Sequence, residues 1–176
     1  MEPTESALIV TVPEAEPAVA ALRAAYDPAS YWGVPAHVTV LYPFLPPERL
    51  DAGVLAAVRA TVAAVPAFDL VLRQTRRFGD HVLWLAPEPD APFRALTAGV
   101  WARFPDFPPY GGEYEDVVPH LTVTVGQPPE VMGAAAERVR PWLPIAARVD
   151  AVRLLVGRPD RDGWRTVAEF PLSASR

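Results

Sequence analysis

Ala36-His37-Val38-Thr39-Val40 and Pro119-His120-Leu121-Thr122-Val123 are the two stretches whose reading decides the fold. Each is a short apolar run with His and Thr two positions apart, bounded by Pro or a small residue, and each reads as a strand. Strand side chains alternate between faces. His37 and Thr39 therefore share one face while Val38 and Val40 share the other. His120 and Thr122 repeat the arrangement, and Thr124 is expected to extend that polar line. The chain holds only 3 histidines, and two of them carry this pattern.

Working outward, Ala7–Pro13 reads as a strand and Pro17–Tyr26 as an Ala-rich helix, with Pro near its start. The first motif opens a strand over His37–Phe44, followed by a helix over Pro46–Val65. Strands at Phe68–Phe78 and His81–Ala86 flank Gly79-Asp80, a tight hairpin signal. A helix over Ala91–Phe104 and a polar loop at Tyr110–Val118 lead into the second motif strand, His120–Gly126. A helix over Pro129–Trp142 follows, then strands at Ala147–Val156 and Trp164–Leu172 around a Pro159–Gly163 turn. This order predicts an α+β or α/β chain with mixed sheets. One unit occurs twice, from about His37 to Pro87 and from His120 to Leu172. The expectation is one domain over 1–176, built of two pseudo-symmetric lobes.

Composition bounds the function classes. The chain has 176 residues, 51% hydrophobic, with a formal net charge of −5. That suits a folded domain and not a disordered one. Cysteine is absent, which excludes a thiol nucleophile and Cys-ligated metal. All 16 basic residues are Arg, so lysine Schiff-base and P-loop chemistry are excluded. Net acidity argues against a long nucleic acid such as DNA, which needs a basic footprint. The longest apolar stretch, Ala52–Val65, is broken by Arg59, so no membrane span is expected. Met1–Ser6 is acidic and polar, unlike a secretory leader. A cytoplasmic monomer without cofactor is the expectation.

Two imidazoles and two hydroxyls in one cleft suit phosphoryl transfer without metal. A neutral imidazole removes a proton from the attacking group, and an imidazolium protonates the leaving oxygen. Threonine hydroxyls donate to the non-bridging oxygens, where charge builds. A 2′,3′-cyclic phosphate offers the internal leaving group this needs. A hydrolytic zinc site wants three His or carboxylate ligands. Neither H-E-x-x-H nor H-x-H occurs, and no metal is expected.

At these residues the sequence resembles the 2H phosphoesterase superfamily, most closely its bacterial 2′-5′ RNA ligase-like and cyclic phosphodiesterase branch. The specific part is the pair of tetrapeptides His37–Val40 and His120–Val123. The resemblance implies a bilobal duplicated α+β fold, with two mostly antiparallel sheets around a central cleft and helices outside. It also implies metal-free hydrolysis of cyclic phosphate ends on RNA or small nucleotides, with some members acting on 2′-5′ linkages. His37 and His120 carry over as the acid/base pair, and Thr39 and Thr122 as phosphate ligands. The rival reading is a non-catalytic binder of RNA ends or nucleotides using the same cleft.

Further candidates are substrate contacts. Tyr110 and Tyr114 lie in the loop before His120 and could stack on a base. Arg76, Arg77 and Arg158 could hold phosphate. Tyr42 and Trp84 are expected in the core, and His81 in an ordinary hairpin.

Overall fold

Runs of branched apolar residues at period two make the strands, and Ala-rich stretches opened by Pro make most of the helices. The computed structural model describes residues 2–175. In chain order the elements are β1 (Glu5–Thr11), α1 (Glu16–Tyr26), the single turn α2 (Pro28–Tyr31), β2 (His37–Leu41), α3 (Ala52–Ala63), β3 (Phe68–Phe78) and β4 (Val82–Glu88). After these come α4 (Ala91–Arg103), β5 (Leu121–Val125), α5 (Pro129–Val139), β6 (Ile145–Val149), β7 (Ala151–Gly157) and β8 (Arg165–Pro171).

Two elements differ from expectation. Helix α3 starts at Ala52 and not at Pro46, because the Asp51 carboxylate caps it by accepting the Val54 N–H at 2.8 Å. The run expected as one strand over Ala147–Val156 is two strands, broken at Asp150. Buried positions are odd-numbered up to Val149, whereas Val152 and Leu154 lead the buried set after it. That slip of phase sends the two pieces to different partners, β6 to β3 and β7 to β1.

The strands form one curled eight-stranded sheet in the order β6-β3-β4-β5-β2-β1-β7-β8. Every ladder between named strands runs antiparallel. The expected two sheets are therefore two halves of one sheet, and no mixed pairing links its strands. The halves join where Val38 of β2 pairs with Leu121 of β5.

Each half takes strands from both ends of the chain. One is β2-β1-β7-β8 and the other β5-β4-β3-β6. The segments 37–87 and 120–172 therefore do not each build a lobe: β2 and β3–β4 fall in opposite halves, as do β6 and β7–β8. The helices cross in the same sense. Helix α1 packs on β5 and α4 packs on β2. The main apolar core lies between helices and sheet, with Val38, Val40, Leu41, Leu121 and Val123 at its centre. The opposite face of the sheet is free to form a cleft.

Candidate active site

The antiparallel register at Val38–Leu121 places the two motifs. Extended by one residue either way, it sets His37 beside Thr122 and Thr39 beside His120. All four lie on the face opposite the buried Val38 and Leu121, and all four are partly exposed. The His-x-Thr pair thus forms a square with a two-fold relation.

Each imidazole is held alike. His37 Nδ1 lies 2.8 Å from the Pro35 carbonyl, and His120 Nδ1 lies 2.8 Å from the Val118 carbonyl. A carbonyl only accepts, so Nδ1–H donates and Nε2 is left as the working nitrogen on both rings. Burial pushes His37 down to about 4, helped by the Arg23 guanidinium and by His120, against the raising effect of the Pro35 bond. Burial also lowers His120, opposed by its bond to Val118. Arg23 is itself buried, paired with Asp27 at 2.9 Å and donating to the Val34 carbonyl at 3.0 Å. It therefore ties down the segment that carries Pro35 and leads to His37.

Both motif strands bulge at the same place. In β2 the register shifts so that Leu8 faces Leu41 while Ile9 faces Thr39, leaving Val40 as the extra residue. In β5 Leu83 faces Thr124 while Trp84 faces Thr122, leaving Val123 extra. A bulge inserts one residue and reverses the faces beyond it. Two expectations fail for this reason. Thr124 does not extend the polar line; it is fully buried, and its hydroxyl has no partner. Tyr42 is not a core residue of the opposite face; it lines the cleft with His37 and Thr39.

Trp84 is the third correction. It is buried as expected, but on the cleft side: its ring stacks on Phe78 at 4.5 Å, and both rings meet His120 edge-on, at 5.9 and 4.9 Å. Across the pseudo-dyad Trp84 stands where Ile9 stands in the other half. Likewise Arg76, opposite Trp84, corresponds to Arg153, opposite Ile9.

The remaining candidates divide. Arg76 lines a second pocket of about 280 Å³ with Trp84, Glu88, Asp90 and Val118, beside His120. Arg77 points the other way, its guanidinium 3.8 Å from where a Cβ on Gly133 of α5 would sit, and is not at the site. Alternation along β3 separates the two. Arg158 is paired with Asp160 in the β7–β8 turn and does not line the cleft. Tyr110 is tied to the cleft by its backbone, whose N–H donates to the Tyr42 carbonyl at 2.6 Å, and burial raises the pKa of its phenol. Tyr114 packs edge-on against Tyr110 at 5.8 Å and is otherwise exposed. His81 lies exposed in the β3–β4 hairpin.

Among the described residues, no three His or carboxylate side chains gather as metal ligands would. No described helix is long and apolar enough to cross a membrane.

The sequence profile of the 2′-5′ RNA ligase superfamily matches residues 11–161, both motifs included. The chain belongs to this superfamily, the 2H phosphoesterases. Solved structures of the same fold extend the match over nearly the whole 2H phosphoesterase chain. E. coli LigT complexed with 3′-AMP is 16% identical, covers 97% of this chain and 99% of its own, and superposes with a TM-score of 0.62. TT0787 of Thermus thermophilus is 20% identical, with coverage of 98% and 100% and a TM-score of 0.62. A further structure, of a phosphoesterase, is 16% identical, with coverage of 98% and 99% and a TM-score of 0.61. At these identities the likeness is one of fold. No curated protein sequence matches this 2H phosphoesterase.

Proposed function

We propose that this protein is a metal-independent phosphoesterase that opens 2′,3′-cyclic phosphates, or related cyclic or 2′-5′-linked nucleotides, on small nucleotides or RNA ends. The observation that carries the reading is the square of His37, Thr122, His120 and Thr39 around one point of the cleft. The 3′-AMP in the E. coli LigT structure is consistent with a nucleotide ligand in this fold. The site is built by one chain, in keeping with a monomer.

Catalysis needs one neutral and one charged imidazole. His37, held down near 4, stays neutral and takes the proton from the attacking water. The water oxygen bonds to phosphorus, the ring P–O bond breaks, and His120 delivers a proton to the departing ribose oxygen. With His37 as the base, the acid role falls to His120, and a bound phosphate anion raises that imidazole's affinity for a proton. Thr39 and Thr122 donate to the non-bridging oxygens as charge gathers there.

The test is hydrolysis of nucleoside 2′,3′-cyclic monophosphates and of a short RNA ending in one, with EDTA present. Wild-type turnover should fall roughly 10²–10⁴-fold in His37→Ala and in His120→Ala. Loss of hydrolysis with binding retained separates the enzyme from a binder of RNA ends. Turnover abolished by EDTA, or unchanged in either variant, would overturn the mechanism.

A further inference from the structure

Each motif histidine is held from behind by a carbonyl two residues earlier, Pro35 for His37 and Val118 for His120. One residue further back, the next carbonyl accepts from an arginine in both halves. Arg23, near the end of α1, donates Nη2 to the Val34 carbonyl at 3.0 Å. Arg94, near the start of α4, donates Nη1 to the Val117 carbonyl at 3.4 Å. Each arginine also pairs through Nε with an aspartate four residues away, Arg23 with Asp27 and Arg94 with Asp90, at 2.9 Å. The two arginines stand at opposite ends of their helices, so no sequence repeat announces the match.

The surroundings of the two clamps differ. The Arg23 and Asp27 side chains are 3% and 4% exposed. Glu16, also on α1, accepts the Ala36 N–H at 2.7 Å, so α1 grips the chain on both sides of Pro35. The second motif needs no such acceptor, because Pro119 stands where Ala36 stands and has no N–H. The Arg94 side chain is 40% exposed and meets a second carboxylate, Asp116, at 2.7 Å. A charge so wet and so paired is screened before it reaches His120, whereas the buried Arg23 charge is felt at His37. Among the described residues, the charged or titratable groups whose fields reach His37 are Arg23 of α1 and His120 beside β5.

We propose that Arg23 and Arg94 are the positioning residues of the two histidines, and that the burial of Arg23 marks His37 as the base. Each arginine fixes the segment whose carbonyl takes the Nδ1 proton, and so presents a bare Nε2 to the cleft. Two copies of one motif have no internal reason to split their roles. The unequal arginines supply one. An unscreened cation beside His37 opposes an imidazolium there, while His120, whose arginine is offset by Asp90, Asp116 and solvent, is freer to carry the proton. The division of roles rests on the phosphoesterase reading, but the hold on each ring does not.

The test is long-range ¹H–¹⁵N NMR of the imidazoles through a pH titration, which reads tautomer and protonation ring by ring. With 3 histidines in the chain, single His→Gln variants assign every signal. Arg23→Ala would leave Asp27 buried and unpaired, so the variant is Arg23→Met/Asp27→Asn, which removes both charges together. Asn keeps the acceptor that Asp27 offers to the Ala29 N–H. In this variant His37 should lose its fixed Nδ1–H tautomer and take up its proton at higher pH than in wild type. The His120 tautomer should not move. Arg94→Met should loosen the His120 tautomer and leave His37 as it is. On 2′,3′-cyclic nucleotides, Arg23→Met/Asp27→Asn should lose about 10–100-fold in kcat with little change in KM, and its acid limb should move to higher pH. Rings unchanged in both variants, or both rings disturbed by either one, would overturn the positioning roles. A lost His37 tautomer with an unchanged titration would overturn the choice of base by Arg23. Ring-specific NMR changes without turnover of any cyclic nucleotide would uphold the positioning roles and overturn the phosphoesterase reading.

Discussion

Val38 and Leu121 face each other across the antiparallel pair that joins the two halves of the sheet, each fully buried against the helices. This contact underlies the square of motif side chains, because each residue lies between a histidine and a threonine of its own motif. Leu121→Ala should leave a cavity at the junction and cost about 2–5 kcal/mol of stability. Leu121→Met, which keeps the volume, should cost less than about 1.5 kcal/mol. Urea denaturation measures both. An Ala variant as stable as wild type would mean the halves are held together elsewhere.

Stability should fall on mild acidification, and His37 sets the direction. Its folded pKa of about 4 lies below the ordinary histidine value of 6.5. Between those values the unfolded chain binds a proton that the folded chain refuses, so stability drops as pH falls from 6.5 toward 4. His120 is lowered too and acts in the same sense. Urea midpoints between about pH 7.5 and about pH 5 should therefore decline for wild type and decline less for His37→Gln. Identical slopes for the two proteins would show that His37 is not held neutral by the fold.

The same values place the activity profile of the free enzyme. On the phosphoesterase reading, kcat/KM needs His37 neutral and His120 protonated. The acid limb then reports His37 and the alkaline limb His120. Both pKa values lie below 6.5, so the bell should be centred on the acid side of 6.5. The kcat profile should sit at higher pH, since a bound phosphate anion favours the imidazolium. A kcat/KM maximum above about pH 7 would contradict the assignment of roles.

Much of the site is legible in the sequence because its signal is local. His-x-Thr on a strand needs only period two to put His37 with Thr39, and His120 with Thr122, on one face. What escapes depends on pairing between distant segments. The bulges at Val40 and Val123 reverse parity, and they bring Tyr42 into the cleft and take Thr124 out of it. Trp84 reads as core because a buried tryptophan in a strand looks the same from either face. The exchange of strands between the halves leaves no mark in the sequence order, since either half offers an antiparallel edge. The break at Asp150 does leave one: the apolar phase slips there by a single residue. Arg76 and Arg77 have identical standing as neighbours in sequence, and alternation along β3 alone decides between them.

Gly157 offers a test of how firmly the β7–β8 turn is held, by a change that adds a single methyl group. A Cβ there would come within 2.7 Å of the Trp164 Cα and closer still to its ring. Backbone on one side and a buried indole on the other leave it no room. Gly157→Ala should therefore cost about 1–3 kcal/mol through overpacking and displace Trp164 from its place against Tyr42. Near-ultraviolet circular dichroism should register the changed indole environment, and urea denaturation the lost stability. The His-x-Thr strands lie on the other side of β1 from β7, so His37 and His120 should keep their geometry. A Gly157→Ala protein with wild-type stability and an unchanged aromatic spectrum would show that the β7–β8 turn yields freely.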